Sequence, residues 1–503
     1  MKKKFYITTP IYYPSAKPHM GHAYSSISAD VFARFKKLEG YQVYFLTGTD
    51  EHGSKIQKSA EKANQKPIDF CDNISKVFLE LTKTLNLSNT DFIRTTEKRH
   101  KTGVQKLWKI LEKNKQIFLS KYSGWYSVSD ETYYAEDETI INNENNRVSL
   151  STGSHVEWLE EESFFFKLSA WQDKLLDFYD KNPEFIQPSS RRNEVISFVK
   201  GGLKDLSISR TSFDWGISVP DNNSHIIYVW LDALANYLTA TNYFNDSQNS
   251  FWPADLHIIG KDILRFHAVY WPAFLLAADI MLPKKIFAHG WILSGDEKMS
   301  KSKGNILDPI EIIKEYGIDE VRYYLMKEVT YGSDGKINLD NLKNCINSDL
   351  ANNIGNLSQR IFSLITKYYD NKIPKPSILL DNDNLLLNYD FNFILKKIEM
   401  FEIQTYIKDL ITYSSKVNKY VNDEEPWNKI KNNKERISTI IYVSVECLRK
   451  IFILLFPIIP SKSQKFLGCL QIKKNEILIK NLNKKIIPET YVEAPGLLFK
   501  KYL

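Results

Sequence analysis

Residues 5–11 read as a strand of apolar and β-branched side chains. They run into a turn of prolines and small residues, Pro14-Ser15-Ala16-Lys17-Pro18, and then into an amphipathic helix from Met20 to Glu39. Ala23, Ile27, Val31, Phe35 and Leu38 recur at helical spacing, and Gly40 stops the helix. A second strand, Val43 to Leu46, ends in Gly48-Thr49-Asp50-Glu51-His52-Gly53, a turn of clustered polar groups. Strand, turn, helix, strand in this order is the start of a doubly wound, nucleotide-binding parallel sheet, which commits the chain to an α/β architecture.

The chain is too long for one such unit. Its 503 residues predict two to four domains, and 43% hydrophobic against 25% charged residues is the balance of a globular protein with ample core. Cys71, Cys345, Cys447 and Cys469 lie far apart without a CxxC pair, which argues against a disulfide framework or a thiolate metal site and fits a reducing, cytoplasmic setting. The N-terminus is basic but lacks the apolar stretch of a signal sequence. The longest apolar run, Ile451 to Pro460, falls well short of the roughly 20 residues a membrane span needs. A soluble, non-secreted protein is expected.

From about Gln116 to Glu162 short aromatic strands and polar loops replace the α/β pattern: Trp125-Tyr126, Thr132-Tyr133-Tyr134 and the turn at 142–146. This reads as an insertion. The sheet pattern is expected to return at Ile226-Ile227-Tyr228-Val229-Trp230 and at residues 256–262, and helical periodicity dominates after about Cys345. Charge divides the same way. Residues 351–503 hold 24 basic and 15 acidic side chains, a net +9, which leaves −2 for the rest. A basic helical third beside a near-neutral body suggests a polyanion-binding appendage.

Two short patterns carry chemistry. His19-Met20-Gly21-His22 opens the first helix, where unpaired amides and the positive dipole end attract phosphate, and two imidazoles can donate to its oxygens. Gly21 removes a side chain where a nucleotide ring could press on the backbone. Lys298-Met299-Ser300-Lys301-Ser302, followed by Lys303-Gly304, is a Ser/Gly-rich cationic loop suited to offset charge developing on a transferring phosphate chain. Either pattern alone also fits an ordinary structural turn or an exposed loop.

Together, in this order and 276 positions apart, they resemble the HIGH and KMSKS signatures of class I aminoacyl-tRNA synthetases, whose sheet is split by an insertion. Neighbouring residues resemble the methionyl-tRNA synthetase family: Pro10-Ile11-Tyr12-Tyr13, residues 47–53, Tyr228-Val229-Trp230-Leu231-Asp232-Ala233, and Ile259-Gly260-Lys261-Asp262-Ile263 running into Phe266-His267. The likeness covers about residues 4 to 430. It implies a Rossmann-type catalytic domain in two halves (1–115 and 225–295) around a connective insertion (116–224). A KMSKS loop and stem-contact region (296–345) and an all-α anticodon-binding bundle (346–503) follow.

The resemblance also implies roles. Methionine is an unbranched thioether, so its pocket must be apolar and aromatic. Ile11, Tyr13, Asp50, Trp230, Ala233, Tyr237, Ile263, Phe266 and His267 match the family's pocket, with Asp50 on the substrate ammonium and Tyr13 and His267 near the sulfur. His19, Gly21, His22, Lys298 and Lys301 would hold ATP phosphates, with His19, His22, Lys298 and Lys301 catalytic. Gly260 and Asp262 would contact the ribose, and Trp291 and Ile292 would frame the adenine. Asn356, Arg360 and Trp427 would read the anticodon of initiator and elongator methionine tRNA. Mg²⁺ should accompany ATP rather than occupy a protein cage.

Many family members carry a zinc knuckle in the insertion, but here Ser127 and Asp130 fall where a CxxC pair would stand, so no structural zinc is expected. The short Lys-rich stretch from Lys484 to Leu503 leaves no room for an extra dimerising domain, so a monomer is expected. Relatives selective for Ile, Leu or Val carry a large editing domain that this length does not accommodate. A non-catalytic tRNA-binding paralogue, or another nucleotidyltransferase of the same superfamily, fits the four phosphate-binding residues or the basic helical third less well.

Overall fold

The computed structural model describes the chain apart from residues 1–2, 15–16, 131, 249, 295–296, 299–306, 430–432 and 503. Two compact units emerge, one from Lys4–Ala29 and Val43–His289, the other chiefly from Asp30–Gln42 and Gly290–Leu503.

In the first unit, strand β1 (Lys4–Thr8) leads to helix α1 (Met20–Leu38), whose residues after Ala29 group with the second unit. Strands β2 (Gln42–Thr49) and β3 (Asp91–Arg94) and helix α2 (Lys98–Lys113) follow. An antiparallel excursion comes next, with β4 (Ile117–Ser127), β5 (Thr132–Tyr134) and β6 (Glu157–Phe166). The chain returns through β7 (Ile186–Gln187), β8 (Asn222–Ile227), helix α3 (Val229–Thr239), β9 (Leu256–Gly260) and β10 (Ile286–His289).

The central sheet runs β3-β2-β1-β9-β10-β7. Its strands pair in parallel where Leu46 faces Asp91, Ile7 faces Leu256, Gly260 faces His289 and Ile186 faces Ile286. Tyr6, Ile7, Phe45, Leu46, Ile258, Ile259, Ile286 and Ala288 are all buried, the near-continuous apolar run of strands covered on both faces. The chain leaves β1 toward β2 and β3 and resumes on the opposite side with β9. That reversal makes the carboxyl ends of β1 and β9 the place where a sheet of this kind opens a ligand crevice.

Three expectations need correction. The first strand stops at Thr8 rather than Ile11, because Pro10 has no amide to donate to a ladder. The second runs on to Thr49. The stretch 226–230 does not rejoin the central sheet. Residues up to Ile227 pair antiparallel with Ser209–Arg210 and Ser218–Val219, and α3 begins at Val229. An apolar run of that length reads equally as a strand or as a buried helix, and α3 is buried along nearly its whole length. Strand β7, from inside the segment 116–224, forms the sheet edge next to β10.

The insertion is a twisted antiparallel sheet built on the β4–β6 ladder, from Ile117 opposite Phe166 to Tyr126 opposite Glu157. Aromatic pairs line it: Phe118 stacks on Phe165 at 5.6 Å, and Trp125 meets Trp158 edge-on at 5.2 Å. The turn at 142–146 closes a hairpin between Thr139–Ile141 and Arg147–Ser149.

In the second unit, β11 (Ile292–Ser294) pairs antiparallel with β12 (Glu297–Lys298) and parallel with β13 (Gly335–Ile337). A Cβ on Gly290 would lie 2.2 Å from the Ser333 backbone, so only glycine passes there. Helices α4 (Asn356–Tyr368), α5 (Ile403–Glu424) and α6 (Lys434–Leu455) dominate the remainder. The Tyr406 hydroxyl donates to the Leu454 carbonyl at 2.6 Å, joining α5 to α6. Arg322 is fully buried. It donates to the Ile458 and Pro457 carbonyls at 2.9 and 2.8 Å and pairs with Asp30 at 2.7 Å, so its charge is compensated on every side. Among the described residues no helix is long and apolar enough to cross a membrane.

Candidate active site

Helix α1 follows β1 in the chain; His19 immediately precedes its first residue and His22 lies in its first turn. The Gly21 amide donates to His19 Nδ1 at 3.0 Å, and the His19 amide lies 3.2 Å from His22 Nδ1. Both δ nitrogens therefore accept, which places each ring proton on Nε2. The rings stack with centroids 3.9 Å apart. Burial, and then the neighbouring His19, push the His22 pKa well below its ordinary value. Two rings, each with an N–H on Nε2, make a pair of donors for phosphate oxygens. A Cβ on Gly21 would meet the His19 ring at 2.8 Å, so the glycine also leaves room for that imidazole.

Within the same unit lies a cavity of about 340 Å³. Eight of the nine expected pocket residues line it: Ile11 and Tyr13 after β1, Asp50 after β2, Trp230, Ala233 and Tyr237 on α3, and Ile263 and His267 after β9. The spacing 230, 233, 237 sets three side chains on one face of α3. Phe266 is absent from the lining; it stacks flat behind Trp230 with centroids 3.6 Å apart and fixes that indole. Asp262 also lines the cavity, and a Cβ on Gly260 would come within 2.6 Å of its carboxylate.

His267 and Tyr237 form a neutral pair. The His267 Nδ1–H donates to the Ile263 carbonyl at 3.0 Å, so Nε2 accepts the Tyr237 hydroxyl proton at 2.8 Å. Burial carries the His267 pKa down to about 4 and raises that of Tyr237. Asp50 is the buried carboxylate of the cavity; Asp130, Asp262 and Lys55 line its less buried parts, and the walls on α3 are apolar or uncharged. A cationic amine on an unbranched apolar chain matches that distribution.

Sequence reasoning did not flag Lys55, Ser129, Asp130 or Asn236, which also line the cavity. It also missed Asp232, buried behind the pocket between two imidazoles: His52 Nδ1 and His100 Nε2 each lie 2.6 Å from one of its oxygens. An aspartate inside the otherwise apolar run 229–235 was the available signal, since a buried carboxylate requires partners.

Trp291 and Ile292 belong to the second unit. There the Trp291 amide donates to Asp334 at 2.8 Å, and Ile292 is buried in β11. Lys298 ends β12; its side chain, and the whole of Lys301, lie outside the described residues. In the helical region Asn356 and Arg360 sit one turn apart on α4. The Arg360 guanidinium lies over the Trp427 ring at 4.5 Å and donates to Asn422 at 2.8 Å, while Trp427 keeps 41% of its surface exposed.

In the insertion, the Asp130 carboxylate accepts from the hydroxyls of Tyr134 (2.8 Å), Thr152 (2.6 Å) and Ser154 (2.8 Å). Ser127 Oγ accepts from the Asp130 amide at 3.3 Å and faces the Ser129 hydroxyl at 3.0 Å. These residues do not fit a zinc ion: they offer one carboxylate already engaged by hydroxyls, and neither thiolate nor imidazole. Among the described residues no three His, Cys, Asp or Glu side chains group to hold a metal.

The family described as tRNA synthetases class I (M) matches residues 5–362, and the anticodon binding domain of methionyl tRNA ligase matches residues 387–502. A methionine–tRNA ligase of Rickettsia felis is 50% identical over 522 residues, covering 100% of this chain and 99% of its own. One from Brucella suis is 45% identical over 508 residues, covering 100% of this chain and 98% of its own. Methionyl-tRNA synthetase of Mycobacterium tuberculosis, solved in complex with methionyl-adenylate, superposes with a TM-score of 0.96 at 43% identity over 99% of both chains.

Proposed function

This chain belongs to the class I methionyl-tRNA synthetases, ligases that activate methionine and charge tRNA with it, and from that premise we propose how its own residues carry the reaction. Methionine occupies the cavity with its ammonium on Asp50 and its thioether among Tyr13, Tyr237 and His267. The observation that carries this reading is the cavity's single buried carboxylate set against the neutral Tyr237–His267 pair. A free cation binds at one place, and an uncharged chain end meets no charge at the other. Ile11, Trp230, Ala233 and Ile263 supply apolar contact, and Phe266 braces Trp230.

No side-chain nucleophile is required. A methionine carboxylate oxygen attacks the α-phosphorus of ATP, the bond to the bridging oxygen breaks, and pyrophosphate leaves. A ribose hydroxyl at the 3′ end of tRNA then attacks the adenylate carbonyl, and AMP departs as the ester forms. Catalysis is positioning plus charge stabilisation. His19 and His22 donate through Nε2–H to the phosphates beside Gly21, while Lys298 and Lys301 follow negative charge onto pyrophosphate. Gly260 and Asp262 take the ribose, and Trp291 and Ile292 flank the adenine. Mg²⁺ arrives with the ATP phosphates, as a hard cation held chiefly by phosphate oxygens and water.

The basic helical region receives the anticodon stem of methionine tRNA, initiator and elongator alike, through Asn356, Arg360 and Trp427. The enzyme acts in the cytoplasm as a monomer of 58.6 kDa. Pyrophosphate exchange with ATP, run with each of the twenty amino acids, tests the whole reading. Exchange is expected with methionine alone, and selective exchange with any other amino acid refutes it. Sedimentation at micromolar concentration checks the monomer.

A further inference from the structure

Helix α3 presents Trp230, Ala233 and Tyr237 to the cavity, and its other side carries Asp232 and Thr239, seven residues apart. Asp232 is fully buried, yet among the described residues no arginine or lysine pairs with it. Its two oxygens instead take two imidazoles from two other elements. His52 comes from the turn after β2, two residues beyond Asp50. His100 comes from α2, and its remaining nitrogen lies 2.8 Å from the Thr239 hydroxyl. The ionised carboxylate can only accept, so His52 Nδ1 and His100 Nε2 both carry protons toward it. Among the described residues this is the polar contact His52 makes through its ring: Nε2 is buried without a hydrogen-bond partner, and the ring meets Trp215 edge-on at 5.6 Å.

The turn that carries Asp50 is held from several sides: the Asp50 amide donates to the Tyr12 carbonyl at 2.8 Å, and the Trp215 indole donates to the Glu51 carbonyl at 2.6 Å. Glu51 fastens it to the far side of the sheet, receiving Arg94 at 2.7 and 3.0 Å and the Thr96 hydroxyl at 2.5 Å. His52, through Asp232, fastens it to α3, the helix that supplies the other wall of the cavity. We infer that Asp232 is a positioning residue for methionine recognition: by bridging His52 and His100 it sets the distance between the Asp50 carboxylate and the Trp230–Ala233–Tyr237 face. Asp232 touches no substrate. It acts through His52 on where the ammonium partner stands, and through the α2 contact on where the aromatic wall stands. The inference rests on the pocket reading above.

The length of methionine is what such a bridge would measure. A longer or shorter span would misplace the ammonium relative to the thioether end, so affinity for methionine should respond while the ATP contacts do not. Asp232→Asn keeps the volume, but its amide nitrogen faces one imidazole N–H and leaves that donor unpaired. His52→Leu removes the link, whereas in His52→Asn the side-chain amide nitrogen takes roughly the place of Nδ1 and keeps it.

The test is methionine-dependent pyrophosphate exchange with full-length enzyme, measuring the KM for methionine and for ATP. Asp232→Asn and His52→Leu are expected to raise the methionine KM at least tenfold with the ATP KM within twofold, and His52→Asn is expected to restore most of the loss. Asp50→Ala, run in parallel, separates the two ideas. If it leaves the methionine KM unchanged, the pocket reading fails. If it raises that KM while His52→Leu, folded by circular dichroism, does not, the positioning role alone is overturned. Equal rises in both KM values, or no difference between His52→Leu and His52→Asn, also overturn it. Should Asp232→Asn fail to fold, the two His52 variants decide.

Discussion

The guanidinium of Arg360 lies over the indole of Trp427, 4.5 Å from the ring centroid, and is itself tethered to Asn422 at 2.8 Å. A planar cation on one face of an exposed indole steadies the ring and leaves the opposite face for another planar group. Bases in single-stranded loops are read in this way, by stacking on aromatic rings.

Trp427→Ala should therefore weaken aminoacylation by about tenfold to a hundredfold, the equivalent of roughly 1–3 kcal/mol of stacking, while methionine-dependent exchange without tRNA stays near wild type. Arg360→Ala should lose part of the same effect, with a shallower dependence on salt if the charge also meets a phosphate. Equal damage to exchange and aminoacylation by Trp427→Ala would withdraw its anticodon role.

Lys301→Ala is expected to slow adenylate formation by a factor that corresponds to about 3 kcal/mol of transition-state stabilisation, leaving the methionine KM nearly intact. Pre-steady-state formation of the adenylate, followed by pyrophosphate release, measures it directly. Normal exchange in the variant removes Lys301 from the mechanism.

The insertion gives a metal prediction. Asp130 gathers the hydroxyls of Tyr134, Thr152 and Ser154 where the resemblance would place one member of a CxxC pair. Elemental analysis should find no stoichiometric zinc, and a chelator should leave the melting temperature unchanged. Asp130→Ala should weaken protection of the β4–β6 sheet against hydrogen exchange by roughly 1–3 kcal/mol, because three hydroxyls lose a charged acceptor. One tightly bound zinc per chain contradicts the first statement, and unchanged protection the second.

His267 supplies a pH dependence. Burial lowers its pKa to about 4, whereas an unfolded chain would titrate near 6.5. Above pH 6.5 both states are neutral and the buried pair contributes in full. Between 6.5 and 4 the unfolded state takes a proton that the folded state refuses, so stability falls with pH by about 3 kcal/mol, all of it lost below pH 4. NMR titration of the ring should show no protonation above pH 5, and the methionine KM should stay flat down to that pH. A ring that titrates near 6.5 in the folded enzyme would contradict the neutral Tyr237–His267 pair.

Much of the site was readable in the sequence because its residues flank strand ends and turns that announce themselves. Pro10, Gly21, Gly48 and Gly260 mark them, and the chemistry sits beside each. What escaped was set by packing between distant segments. Nothing local distinguishes Tyr228-Val229-Trp230 as the mouth of a helix rather than a strand, since burial on all sides erases periodicity. Phe266 looks like a pocket residue by position, but its ring meets Trp230 rather than the cavity. The Asp232 bridge joins residues 132 and 180 positions apart, a separation that no short window reads.

The topology has a consequence for how the protein comes into being. Thr8 on β1 finds its neighbour His257 on β9 249 positions later, and their side chains join at 2.6 Å. A ribosome moving at about 5–20 residues per second needs roughly 12–50 s to deliver that partner. During that interval β1 lacks its strand neighbour on that side while the whole insertion is being made. Maturation of the nascent chain must await β9, and any stall between the two strands leaves an apolar edge open to misassembly.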